Sequence, residues 1–441
     1  MTRRRGHKVR TPKADAPPSA RGQSLVLANA AELVTLQGPP RPRRREELKD
    51  LGIRTASAVY IEDGVVREVG DSSEVLARYR DRARVIDVSG KVVLPGFVDP
   101  HTHLVFSGSR HEELDWKIEG LSYQEIAARG GGLLSTVRKT REASREVLLA
   151  AAVRRLDALL RHGTTTAEVK SGYGLALDAE LKILEVISAL GAVHPVDLVP
   201  TFLGAHAVPG EYAGDRDGYL ELVMREMLPA VGARKAARFC DIWVDAGYFT
   251  PEDARRLFAA ARPLGLLPKV HADEIAASGG ADVAAEVGAV SADHLIHASR
   301  SGIEALAAAG AIAVLLPATS FASRMPFANA RAIIEAGVPP ALGTDLNPNA
   351  WTESMQFVLA LACHQMGVYP AEAISMATVN AAYAVGLGSE VGTIEPGKRA
   401  DLIVLDAETH RHLGYRTSGN LVEKVIKDGR IVVDRAARPA E

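Results

Sequence analysis

Cysteine is almost missing from this chain of 441 residues: Cys240 and Cys363 stand alone, too few for a disulfide framework or a four-thiolate zinc site. Long apolar runs are missing too, and no stretch approaches the ~18–20 uninterrupted apolar residues of a membrane span. Net charge is close to zero, at −2, so there is no global basic field to attract nucleic acid. The 39 glycines and 23 prolines follow no period, which excludes collagen-like and low-complexity chains. What is present is ordinary for a globular protein: 47 % apolar and 24 % charged residues exclude an intrinsically disordered chain. At about 100–200 residues per domain the length allows several domains, or one large α/β barrel with an appendage.

The charge is unevenly placed. Residues 1–21 hold seven Lys/Arg against one acidic residue, leaving 45 basic against 53 acidic residues for the remainder. The segment has no apolar stretch of secretory length, and its Arg-rich, acid-poor makeup lacks the leucines of an amphipathic transit peptide. Residues 1–22 are therefore expected to be a disordered basic tail, with a nucleic-acid or membrane tether as the sharper alternative. The cysteine usage makes a reducing cytoplasm the default location.

Residues 24–36 and 57–70 read as short strands, with Asp63-Gly64 as a hairpin turn, and 38–55 between them reads as a charged loop. Residues 400–406, 423–427 and 431–433 look alike, with Asp428-Gly429 as a second hairpin turn. The two ends are expected to combine into a small β-sandwich domain, residues 23–90 with 391–441. The middle, residues 91–390, alternates apolar β-rich runs with helical stretches such as 145–162, 178–190, 251–262 and 279–287. Strand runs begin near Val92, Thr164, Val196, Phe239, Pro268, Ala289, Ala311 and Pro340. Such alternation implies a parallel sheet, and about eight units in about 270 residues is the size of a (β/α)8 TIM-like barrel. Gly130-Gly131-Gly132 reads either as a mobile flap over a site or as a plain loop.

The first barrel strand, VVLPGFVDPHTHLV, carries His101 and His103 two residues apart. On a strand such residues share a face, and two neutral imidazoles there make half of a divalent-metal site. Other expected strand ends also finish in ligand-type side chains: His206, His271, His294 and Asp345. All belong to the face where this architecture carries its active sites. Glu274, in HADE, is placed to shuttle protons. Arg110 could clamp a substrate carboxylate, or pair with a neighbouring Glu at the surface. Tyr173 could donate a hydrogen bond to substrate. A carbamylated, metal-bridging Lys170 is rejected, because a one-metal set is complete without it. The remaining histidines read as structural or surface residues, His297 least securely.

These motifs, PGFVDPHTH, HADE, SADH and GTD in this order, resemble the metal-dependent amidohydrolase superfamily. More narrowly, VDPHTHLVFSGSR, AEVKSGYGL, FLGAHAVP, HADEIAASGGA and TDLNPN resemble the imidazolonepropionase family, from about residue 55 to residue 435. The resemblance implies one Zn2+ or Fe3+ per subunit held by His101, His103, His271 and Asp345. It puts Glu274, His294 and Asp345 at catalytic positions and makes Arg110, Tyr173, His206, Glu274 and Asn347 substrate contacts. The loop after the metal Asp departs from the family form: Asn349 stands where many members have glycine, and Ala350 where they have a hydroxyl residue. A backbone contact at Asn349 would survive, whereas the hydroxyl contact at Ala350 is lost. The block LLPATSFASRMPFANAR also diverges.

The implied reaction is hydrolysis of the ring amide of 4-imidazolone-5-propanoate to N-formimidoyl-L-glutamate in histidine degradation. Asp345 and His294 would take and position the proton of the attacking water, and Glu274 would return a proton to the departing ring nitrogen. The implied partner is a small anionic heterocycle, with no nucleic acid and no membrane, in a cytoplasmic homodimer. Two rivals are weighed. A mononuclear aminohydrolase would release ammonia from another heterocycle, but Arg110 suits an anionic substrate better than a neutral nucleobase. A non-enzymatic assembly protein on a decayed barrel should lack the ligand set.

Overall fold

The computed structural model describes residues 24–121 and 123–436, so the segment expected to form a basic tail lies outside the described residues. The first strands are β1 (Ser24–Ala30), β2 (Glu32–Val34), β3 (Ile53–Arg54), β4 (Ser57–Glu62), β5 (Val65–Asp71), β6 (Arg84–Asp87) and β7 (Val92–Pro95). The barrel strands are β8 (Phe97–Asp99), β9 (Thr164–Lys170), β10 (Asp197–Ala205), β11 (Phe239–Val244), β12 (Leu267–Ala272), β13 (Ser291–His294), β14 (Ile312–Leu315) and β15 (Pro340–Leu342). The chain ends with β16 (Leu402–Leu405), β17 (Val422–Lys427) and β18 (Arg430–Asp434).

The outer strands form two sheets, ordered β5-β4-β1-β6 and β18-β17-β16-β7-β2-β3, so both ends of the chain meet in the second. Alternation along β1 explains the layering. Leu25 and Leu27 face inward with Val59 and Ile61 against Val93, Leu402, Val404 and Ile426 of the second sheet. Val26 and Ala28 face the other way, onto Tyr60 and Val75. Both expected hairpins are present, and Asp63-Gly64 and Asp428-Gly429 take positive φ at both positions, the geometry of a two-residue turn matched to strand twist. The charged stretch 38–55 is more ordered than a loop. It holds a 3-10 helix, Arg45–Lys49, with Leu48 buried, and the short strand β3.

The middle of the chain is the expected barrel, eight strands in sequential order from β8 to β15, with every neighbouring pair parallel. The first expected strand divides in two. Val92–Pro95 pairs with β16 and β2 of the outer sheet, and only Phe97–Asp99 enters the barrel. Gly96 is the break, where any side chain would collide with Thr165. Between β15 and β8 the barrel closes by a few contacts past the strand ends: a parallel bridge Thr102–Leu346, Asp345 N–H to the His101 carbonyl at 3.0 Å, and Thr344 N–H to Asp99 at 3.0 Å. That closure sets Asp345 beside His101.

The surrounding helices start and stop where local chemistry dictates. Ser144 caps Arg145–Arg161, and Thr250 with Asp253 forms a capping box on Pro251–Ala261. Leu148, Leu156, Leu159 and Leu160 form the buried stripe of the first of these. The glycine run is a loop only in part: Gly130 and Gly131 lie in the turn after Tyr123–Ala128, and Gly132 opens the helix Gly132–Glu142. Among the described residues no helix is long and apolar enough to cross a membrane.

Candidate metal centre and active site

Strand period and closure bring His101, His103, His206, His271, His294, Glu274 and Asp345 to one end of the barrel. His101 Nε2 lies 3.2 Å from His103 Nε2, which lies 3.4 Å from His271 Nε2. Asp345 Oδ1 is 3.5 Å from His101 Nε2 and 3.6 Å from His103 Nε2. A cation about 2.0–2.1 Å from each of four tetrahedral donors sets those donors about 3.3–3.4 Å apart. These four separations lie close to the edge length of such a site. Asp345 Oδ1 is also buried without a hydrogen-bond partner among the described residues, a costly state for a carboxylate oxygen unless a cation faces it. Its Oδ2 is taken by Thr319 Oγ1 at 2.5 Å, which turns Oδ1 toward the histidines. The residues present fit a single ion.

The protonation states agree. His101 Nδ1–H donates to Asp293 Oδ2 at 2.7 Å, which leaves its Nε2 lone pair facing the centre, and His271 Nδ1 lies 3.0 Å from Asp241 Oδ2. Burial, then the charges of neighbouring Lys170 or histidines, holds His101, His103 and His294 well below the ordinary imidazole range, and His206 at about 3. Neutral imidazoles are what metal ligation requires. Burial pushes Glu274 well above the usual carboxyl range, with Asp345 and Asp245 adding to the effect. Glu274 Oε2 sits 3.6 Å from His294 Nε2.

Local backbone conformation aims these groups. His294 directly follows Asp293, and consecutive strand residues point to opposite faces. A left-handed φ of +74° at His294, followed by +59° at Leu295, breaks that alternation. Asp345 also takes positive φ, +49°. Each such residue costs about 1–3 kcal/mol, strain of the kind stored at functional sites. Buried acceptors then hold the loops. Glu180 receives Gly174 N–H at 2.7 Å and Leu175 N–H at 2.8 Å, fixing the loop of Tyr173. Asp245 receives the N–H groups of Glu274 and Ile275, both at 2.7 Å. Tyr173 is itself buried, its ring 5.6 Å from His103 and 5.5 Å from His206, and His206 Nδ1–H donates to the Gly172 carbonyl at 3.0 Å.

The other sequence-derived candidates sit differently. Arg110 is not at the surface: it is buried and forked onto buried Glu113, Nε at 2.8 Å and Nη2 at 2.6 Å. Glu113 also receives Gly132 N–H at 2.8 Å, linking Arg110 to the glycine run. Asn347 shapes its own loop, donating to the Asp345 carbonyl at 2.8 Å and accepting from Asn349 and Ala350 N–H at 2.8 and 3.0 Å. Asn349 is pinned at both ends of its amide, by Lys117 Nζ at 2.6 Å and Ser323 Oγ at 2.9 Å. Ala350 is fully buried.

Of the layer beneath the centre, Glu168, Lys170, Asp241, Lys269 and Asp293, all fully buried in the barrel interior, sequence reasoning weighed only Lys170, and rejected it as a metal bridge. Each is a charged residue inside a strand run, and Lys269 stands two residues before His271 on the same strand face. That offset was the available signal.

Comparison with known proteins gives one answer. The profile described as "Amidohydrolase family" matches residues 246–432, and a second profile of that description matches residues 84–129. An imidazolonepropionase of Geobacillus kaustophilus is 49 % identical over 415 residues, covering 93 % of this chain and 98 % of its own. Another, of Parabacteroides distasonis, is 46 % identical over 409 residues, covering 92 % and 98 %. Among solved structures, Escherichia coli guanine deaminase aligns with a TM-score of 0.67 at 18 % identity over 94 % of this chain and 99 % of its own. Aspergillus niger ochratoxinase aligns at 0.68 and 19 % over 95 % and 98 %. At such identities the structural likeness speaks for the fold alone.

Proposed function

The chain belongs to the imidazolonepropionase family of amidohydrolases, and on that premise we propose how it opens the ring amide of 4-imidazolone-5-propanoate to N-formimidoyl-L-glutamate. The observation that carries the reading is the cluster of three imidazole nitrogens and one orphaned carboxylate oxygen, neighbouring donors 3.2–3.6 Å apart. His101, His103, His271 and Asp345 would hold one Zn2+ or Fe3+. When bound, such an ion lowers the pKa of water toward neutrality and polarises a carbonyl.

The chain's own groups do the rest. Asp345 and His294 receive and position the proton of the water that attacks the ring carbonyl carbon. His294 suits this because burial keeps it neutral, with a lone pair to accept. As the carbon–nitrogen bond breaks, Glu274 hands its proton to the departing ring nitrogen. A carboxyl kept protonated by its surroundings is the right donor. Arg110, oriented by Glu113, receives the propanoate, while Tyr173 and His206 line the ring and Asn347, Asn349 and Ala350 shape the opposite wall. A cytoplasmic homodimer is carried over from the family resemblance alone.

The test is product analysis with freshly prepared imidazolonepropanoate. N-formimidoylglutamate should form without ammonia. Ammonia release without that product would replace this reading with aminohydrolase chemistry.

A further inference from the structure

Beneath the four donors lies a closed layer of charge with no exposure to solvent. Lys170 Nζ is 2.8 Å from Asp241 Oδ2, 3.0 Å from Glu168 Oε2 and 3.4 Å from Asp293 Oδ2. Lys269 Nζ is 2.9 Å from Glu168 Oε2 and donates to the Pro100 carbonyl at 3.2 Å. Three carboxylates thus share two ammonium groups. Glu168 and Asp293, with His101, are close enough to resemble a second cation site, but the two lysines already supply the positive charge there. The layer and the centre touch at two points, Asp241 on His271 Nδ1 and Asp293 on His101 Nδ1. Among the described residues, Lys170 is the one cation that reaches both of these carboxylates.

We propose that Lys170 is a positioning residue for the metal centre, holding Asp241 and Asp293 where they fix His271 and His101. The inference rests on the metal reading above and adds a role for a side chain that touches neither ion nor substrate. Lys170 comes from β9, Asp241 from β11 and Asp293 from β13, so one ammonium group ties three separate strands under the site. Burial alone would discharge it, but Asp241, Glu168 and Asp293 outweigh burial and hold it charged. Without it, three buried carboxylates face one cation, and their unbalanced repulsion drives Asp241 or Asp293 out of place. A displaced carboxylate no longer fixes the histidine ring beside it, and the Nε2 donor on the far side of that ring loses its aim.

The experiment is a chelator challenge of zinc-loaded protein, following zinc retention and, in parallel, the unfolding temperature. Loss of an outer partner of a metal ligand weakens metal affinity about 10–100-fold. K170M should show a loss of that size while still folded, and K170R, which keeps the charge, should recover part of it. E168Q/K170M removes one charge of each sign, so the layer keeps its balance but loses its hub. It should still release zinc faster than wild type. Zinc held by a folded K170M or by E168Q/K170M as tightly as by wild type overturns the proposal. Failure of both variants to fold makes the layer a folding element and overturns it too. Wild-type protein that binds no zinc or iron fails the metal reading itself, a separate result.

Discussion

Glu113 offers a sharp test of how the substrate carboxylate is received. Its side chain makes two charge-assisted bonds to Arg110, at 2.8 and 2.6 Å, and one from Gly132 N–H at 2.8 Å. Both side chains are nearly closed to solvent, at 6 % and 4 % exposure, so solvent screening takes little from the pair. Breaking a buried pair by deleting one partner costs about 3–5 kcal/mol, because the other charge is left uncompensated. E113Q keeps the shape and one acceptor oxygen, so its cost falls below that range, about 2–3 kcal/mol. Part of that loss appears as a misdirected Arg110. If half of it, about 1.4 kcal/mol, falls on substrate binding, KM rises about tenfold. The proton-transfer groups are elsewhere, so kcat should stay within about twofold. Steady-state kinetics with imidazolonepropanoate, beside a thermal melt, checks this. An unchanged KM in folded E113Q refutes the orienting role. A lower KM would show that Glu113 competes with the substrate for the guanidinium.

E274Q should lower kcat by about 10²–10⁴-fold with metal content unchanged, as expected for loss of a general acid; near-normal turnover removes Glu274 from the reaction. N349G removes the bonds to Lys117 and Ser323, worth about 2 kcal/mol together, so the apparent Tm should fall while the metal stays bound. An unchanged melt would show that the pin holds nothing. In the sandwich, partial burial raises the Glu32 pKa, yet bonds from His410 N–H and Nδ1 outweigh it and leave it below the ordinary 4.5. A depressed carboxyl contributes stability above its unfolded pKa and loses it as pH falls through the folded value. The apparent Tm of the wild type should therefore drop faster than that of E32Q below about pH 4.5, and parallel curves would contradict the assignment.

The barrel was legible because β-rich runs alternate with helical stretches, and the donor set because polar side chains close those runs. The outer sandwich was legible from two Asp-Gly turns flanked by alternating strands. The division at Gly96 was not, since a single apolar run serves two sheets and only the collision with Thr165 separates them. The charged layer was hidden for a similar reason. Asp241 looks like one polar interruption in its strand and Asp293 like one of several polar residues in its own, and their partners lie on other strands, a relation that spacing along one strand does not encode. Arg110 and Glu113 stand at helical spacing in plain view, but their burial depends on how the helices beyond them pack. The departure at Asn349 was visible; that Lys117 and Ser323 would hold it was not.

The central claim is that His101, His103, His271 and Asp345 assemble one metal centre on which ring opening depends. Metal analysis of purified wild type and H271A, with turnover measured on the same samples, tests it most directly. The account predicts about one zinc or iron per wild-type chain, and loss of both metal and turnover in H271A. A folded H271A that is metal-free yet still opens the ring would contradict it.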